Sequence, residues 1–178
     1  RLLVLPDQSH HLAPRPGVAS QLSLIVGTAP LSDAPSPAPP ASIQIEQVHP
    51  ERHLDEEPLR ALLHTIAAEE DCLLGSVTVV LTDHETVLQL NRDYLDHDYL
   101  TDVLSFDLSD EPERVVGEIY VDLDTAAERH AEFDTTFECE VHRYAAHGLL
   151  HLIGYDDDTP EERALMRRLE DRYLSASS

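Results

Sequence analysis

The chain has 178 residues, 42% of them hydrophobic, which is enough for one packed core and argues against wholesale disorder. No stretch approaches the run of about 18 apolar residues that a membrane helix needs, and the short apolar start, Arg1 to Pro6, is too brief for a signal peptide. Thirty-five acids face twelve cations, all of them arginine, for a net charge of −23. Such a surface repels polyanions at low salt and counts against generic nucleic-acid binding, although the screening length falls to about 3 Å at 1 M salt. Cys72 and Cys139 cannot build a disulfide framework and suit a reducing compartment, so a cytoplasmic location is expected.

Residues 1–42 hold eight of the twelve prolines and carry no net charge. They show no sustained period and read as a disordered Pro/Ala/Ser-rich extension, which leaves 43–178 as the folded domain. From Ser42 the texture changes. Ile43, Ile45 and Val48 mark a first strand, and Asp55 to Glu70 a helix with Leu59, Leu62, Leu63 and Ile66 on one face. Gly75 is expected to end that unit, before a buried β-branched strand from Val77 to Leu81. Asp83 caps a short helix carrying Val87, Leu88 and Leu90. Thr101 to Leu108 and Glu118 to Leu123 alternate like an antiparallel pair around an Asp110 to Pro112 turn. Three Ser/Thr-x-x-Glu capping boxes follow, at Thr125/Glu128, Thr135/Glu138 and Thr159/Glu162, the last with Pro160 at the first helical position. The final helix is expected to bury Leu165, Leu169 and Tyr173. Strands early and helices late give an α+β domain, a mixed sheet of about four strands surrounded by helices.

The chemistry concentrates in His147-Gly-Leu-Leu-His151-Leu-Ile-Gly154-Tyr155-Asp156-Asp157-Asp158. His147 and His151 are four apart on one helix, so both imidazoles leave the same face. They form half of a tetrahedral zinc site at the end of that long helix. Gly154 is placed to take a left-handed conformation and turn the chain back, which would return Asp157 to the ion. Asp156 and Asp158 flank it and are open as alternatives or as partners of a ligand imidazole. Three protein ligands leave a fourth position for water, as in a catalytic site. In the zincin motif a glutamate follows the first histidine as general base. Here Gly148 stands there, which makes a metallopeptidase a minor alternative.

These residues resemble the signature of the YbeY endoribonucleases, His-Gly-x-Leu-His-Leu-x-Gly-Tyr-Asp-His, met here by His147, Gly148, Leu150, His151, Leu152, Gly154, Tyr155 and Asp156, with Asp157 in place of the last histidine. Two further blocks agree in order: Asn91, Arg92, Tyr94 followed by Thr101 to Phe106, and Gly117, Glu118, Ile119 followed by Asp124 and Thr125. The resemblance covers about residues 43–175. It implies a mixed sheet with helices around one Zn2+ ion held by His147, His151 and Asp157. It also implies cleavage of single-stranded RNA in 16S ribosomal RNA 3′-end maturation and ribosome quality control, with ribosomal RNA and the small ribosomal subunit as partners.

Two positions depart from the family pattern. Asp157 adds a carboxylate to the ligand set, which weakens the ion as a Lewis acid and opens the site to other divalent metals. Leu95 stands where the family has an arginine, and leucine offers no donor to phosphate. Arg92 and His97 are the nearby candidates for that catalytic role, and no motif carries it onto either. A ribosome-assembly RNA-binding factor with a mainly structural metal is therefore the rival from another class. His142 reads as a surface residue, Cys139 as a small buried one, Asp102 as a turn cap, Glu118 as a solvated strand acid, and Arg143 as sharing the helical side of His147.

Overall fold

A computed structural model describes residues 2–4, 42–95, 98–110 and 114–176. Four strands form its mixed sheet: β2 (Ser42–Gln47), β3 (Leu73–Thr82), β4 (Val103–Asp107) and β5 (Arg114–Asp122). A short β1 (Leu2–Val4) adds to the edge, giving the order β1-β4-β5-β3-β2. β2, β3 and β5 run parallel, whereas β4 pairs antiparallel with β5 and with β1. The expected antiparallel pair is thus β4 and β5. The expected extension over residues 1–42 lies outside the described residues except for β1 and for Ser42, which opens β2.

Helix α1 (Glu56–Glu69) crosses from β2 to its parallel neighbour β3. Asp55 caps it by accepting from the Glu57 amide at 3.1 Å, and its expected apolar face is buried. The turn that the sequence assigns to Gly75 is made instead by Asp71, in the left-handed region at φ 51°. Gly75 lies inside β3, beside the register shift between Leu74 and Val77. Helix α2 (His84–Leu95) is capped by Asp83, whose carboxylate accepts from the Thr86 amide at 2.9 Å. Helix α3 (Leu123–Arg129) starts before Thr125; its cap is Asp122, the last residue of β5. Helix α4 (Phe137–Ile153) is capped by Thr136, one residue after the expected Thr135. Helix α5 (Pro160–Ala176) carries the expected reciprocal box, with Thr159 Oγ1 accepting from the Glu162 amide and Glu162 from the Thr159 amide.

The period-two pattern of the strands divides the core. Val77, Val79 and Leu81 of β3, Val103 of β4, and Ile119 and Val121 of β5 join the main cluster with α1, α4 and α5. The alternate residues Leu104 and Phe106 meet Val87 of α2 in a smaller cluster, with Tyr94 and Tyr120 packed edge-on against Phe106. On α5 the buried stripe is Met166, Glu170 and Tyr173, whereas Leu165 is exposed and Leu169 only half-buried. The face expected from the leucines is therefore rotated, and an acid occupies one inward position.

Helix α4 lies close against β4 and β5 because Gly148 has no side chain. A Cβ there would stand 2.6 Å from Ile119 Cγ2 and 2.8 Å from Ser105 Oγ. Ser105, buried in the sheet, donates to the Gly148 carbonyl at 3.2 Å. Alanine at 148 would gain about 1 kcal/mol of helix propensity, but overpacking of this kind costs about 1–3 kcal/mol. Gly148→Ala is expected to lower the urea midpoint with an unchanged slope. A raised midpoint would show that α4 does not sit this close to the sheet.

Candidate metal centre

Helix α4 places the site. Thr136 Oγ1 accepts from the Cys139 amide at 3.1 Å and starts seventeen helical residues that lead down to the two histidines. The helix ends as expected at Gly154, in the left-handed region at φ 116°. The Gly154 amide donates to the His151 carbonyl at 3.0 Å and the Tyr155 amide to the Leu150 carbonyl at 3.0 Å. This paired closure satisfies the last carbonyls and reverses the chain. Asp157 is thereby brought back over the helix end, where one donor atom each from His147, His151 and Asp157 falls within 4.8 Å of the others. Asp156, half-buried, and Asp158, exposed, are not in this donor group.

All three side chains are withdrawn from solvent: His147 is 3% exposed, His151 4% and Asp157 5%. The imidazoles stand edge to face, with centroids 4.3 Å apart. His147 Nδ1 is 2.7 Å from Glu170 Oε1, and His151 Nδ1 is 2.8 Å from the Tyr155 carbonyl oxygen. A carbonyl and a carboxylate only accept, so each ring carries its proton on Nδ1 and leaves the Nε2 lone pair for a cation. His147 Nε2 is buried with no hydrogen-bond partner among the described residues. His151 Nε2 faces Asp157 Oδ1 at 3.9 Å. Burial pushes the Asp157 carboxyl above its ordinary range, opposed in part by the neighbouring Arg163 charge. A divalent cation would relieve both conditions at once, by accepting the orphaned lone pair and compensating the buried carboxylate. The residues present therefore fit a metal ion.

The outer partners were not legible in the sequence, although they fix the ligands. Glu170, 6% exposed, takes the His147 proton on one oxygen and an Arg143 Nη1 hydrogen bond at 3.0 Å on the other. Arg143 also pairs with Asp171 at 2.8 Å. Tyr155, whose carbonyl holds His151, donates its own hydroxyl to Glu70 Oε2 at 2.5 Å. Tyr173 donates to the other Glu70 oxygen, so α1, α5 and the ligand turn are tied at one carboxylate. Arg163 Nη1 donates to the carbonyls of Asp157 at 2.9 Å and Asp158 at 2.7 Å, fixing the turn to α5. The only sequence signal for Glu170 was its place four residues after Met166 on the inward side of α5.

The other candidates are dispersed. Arg92 is exposed and paired with Asp98 at 2.5 Å. His97 and the side chain of Leu95 lie outside the described residues. His142 is half-buried, and burial moves its pKa down. Cys139 is half-buried and free rather than fully buried. Glu118 accepts from the Tyr120 hydroxyl at 2.8 Å, on the sheet face that packs against α2. Asp102 lines a partly open cavity of about 510 Å³ whose wall also includes His147 and Asp157. Burial pushes the Asp102 carboxyl up, opposed in part by the Arg129 charge.

A second His/Asp group, His84, Asp122 and Asp124, was missed by sequence reasoning. Its donors are already engaged. Asp122 accepts from the amides of Asp124 and Thr125, from the Thr125 hydroxyl and from His84 Nδ1. Asp124 is held by His49 at 3.2 Å and Arg52 at 3.0 Å. The group joins the start of α3 to its neighbours as a hydrogen-bonded latch.

A family model described as Endoribonuclease YbeY matches residues 43–178. The Endoribonuclease YbeY of Salinibacter ruber is 52% identical over 148 residues, covering 79% of this chain and 94% of the relative. That of Cytophaga hutchinsonii is 40% identical over 117 residues, covering 66% of this chain and 82% of the relative. The solution structure of the Thermotoga maritima protein TM1509 superposes with a TM-score of 0.57 at 32% identity, covering 76% of this chain and 89% of that one. The family match spans β2 from Ile43 to β5, the helices and the turn that carries Asp157. The chain belongs to the YbeY endoribonuclease family.

Proposed function

We propose that this chain is a metal-dependent endoribonuclease that cuts single-stranded RNA, acting in the cytoplasm in ribosomal RNA maturation. The observation that carries the reading is the buried Nε2 of His147, without a hydrogen-bond partner among the described residues, which converges with His151 and Asp157 beside a partly open cavity that His147 and Asp157 line. Membership of the family supports the RNA substrate. The proposal extends to 16S 3′-end maturation, to ribosome quality control and to contact with the small ribosomal subunit. Zinc suits two imidazoles and one carboxylate, and the carboxylate also admits other divalent ions.

A divalent ion held by these ligands would polarise a phosphoryl oxygen and lower the pKa of coordinated water to roughly 7. The chain's own residues prepare that site. Glu170 and the Tyr155 carbonyl hold the two imidazole protons on Nδ1 and so aim both lone pairs inward. Arg143 balances the charge that Glu170 brings into a buried position. The sheet and α5 exclude water from the ligand side, while the cavity admits substrate to the wall formed by His147 and Asp157.

The peptidase alternative is weakened further by packing. The position that would carry a zincin's general base is Gly148, which faces Ile119 and Ser105 in the sheet. The RNA-binding factor with a structural metal is favoured by Leu95 in place of an arginine and by the net charge of −23. Chelator-insensitive ribosome co-sedimentation without any cutting would select that reading.

Two measurements test the proposal. His151→Ala is expected to reduce metal content and cleavage of single-stranded RNA together, each by at least ~100-fold, the upper range reached by outer-partner mutations alone. Undiminished cutting by metal-stripped protein would contradict it. Glu170→Gln keeps size and an acceptor oxygen but loses the charge that supports His147. Its metal affinity, read by competition with a chelator, is expected to fall about 10–100-fold while circular dichroism stays native. Wild-type affinity in this variant would show that Glu170 is not a metal-site partner.

A further inference from the structure

In a chain with a surplus of twenty-three acids, an arginine without a close carboxylate is unusual, and where such arginines collect is informative. Arg52, Arg60, Arg92, Arg143 and Arg172 each reach a carboxylate oxygen at hydrogen-bond distance: Asp124, Glu56, Asp98, Glu170 and Glu69 respectively. Three arginines on the cavity wall do not, and away from it neither does the exposed Arg168 among the described residues. Arg167 is exposed and makes no hydrogen bond or ion pair among the described residues. Arg129, at the end of α3, lies over the Phe133 ring at 5.2 Å, and its nearest carboxylate is the exposed Glu132 at 3.9 Å, i to i+3. Arg163, one turn before Arg167 on α5, lines the same cavity and is fastened to the ligand turn. Four of the twelve arginines thus border one cavity, whose wall also presents His147 and Asp157.

Resting on the ribonuclease reading, we propose that Arg129 and Arg167 form a phosphate-binding subsite that holds the RNA backbone beside the metal centre. A guanidinium offers paired N–H donors that match two phosphate oxygens, and it stays charged at any working pH. Five acids share the wall with them. Glu170 and Asp171 are answered by Arg143, Asp157 belongs to the candidate ligand set, and Glu140 is buried. That leaves half-buried Asp102, within reach of the Arg129 charge, while Arg167 makes no ion pair with any of them among the described residues. Arg129 and Arg167 come from different helices and border one cavity, so they serve a strand that passes through it. This also gives an acidic protein a local route to a polyanion: attraction confined to the cavity, repulsion over the rest of the surface.

The test uses the full chain in chelator and a short fluorescein-labelled 2′-O-methyl single-stranded RNA, which cannot be cut by attack of its own hydroxyl. Binding is read by fluorescence anisotropy across a salt series. Arg129→Gln and Arg167→Gln are each expected to weaken binding about tenfold. Each is also expected to reduce the slope of log affinity against log salt by about 0.7 for every phosphate no longer neutralised. Arg168→Gln, next in sequence and not on the cavity wall, is expected to bind as the wild type does. Wild-type affinity in both cavity variants, an equal loss in Arg168→Gln, or no measurable binding by the unaltered chain would overturn the proposal. Because the RNA stays intact, this outcome is separable from the nuclease reading. Failure of the wild-type metalloprotein to cut ordinary RNA would sink that reading and leave the subsite in place.

Discussion

A buried polar atom with no hydrogen-bond partner costs about 1–3 kcal/mol, and a buried carboxylate without a close cation costs more. At the end of α4 this chain places an orphaned imidazole nitrogen, a second imidazole and a carboxylate within 4.8 Å of one another. Its neighbours hold that arrangement in place and relieve it only in part. Glu170 and the Tyr155 carbonyl fix the imidazole protons on the far side, and Arg163 ties down the turn that carries Asp157. A cation shared between the donors would compensate the unfavourable part of the arrangement. The local structure is consistent with that role: the glycine at 148 lets α4 reach the sheet, the left-handed glycine at 154 returns Asp157, and the inward acid on α5 holds His147.

The candidate ligands were legible in the sequence because their geometry is local. A spacing of four on a helix, a glycine three residues later and a carboxylate three beyond it specify a face, a reversal and a return. Each of those steps is visible in the structure. The strands were legible for the same reason, since period two sorts Val103 and Ser105 from Leu104 and Phe106 without knowledge of the partners.

What the sequence did not show is contact between elements distant along the chain. Glu170 is twenty-three residues from His147, and its burial contradicts the usual exposure of acids, so the leucines at 165 and 169 drew the inward face of α5 to the wrong side. Asp122 took the cap of α3 from Thr125 because it stands at the end of β5, where the carboxylate also receives His84 from α2. Thr125 is instead a donor to that same carboxylate. The gathering of arginines at one cavity is likewise invisible in a sequence where they are spread over α3, α4 and α5.

The central claim is that one ion is shared by three side chains, and metal stoichiometry on purified wild type and an Asp157→Ala variant tests it most directly. The account predicts close to one divalent ion per wild-type chain and a large loss of bound metal in the variant with the fold intact, since two imidazoles alone make an incomplete site. Equal metal content in the two proteins, or none in a wild type supplied with zinc, would contradict it.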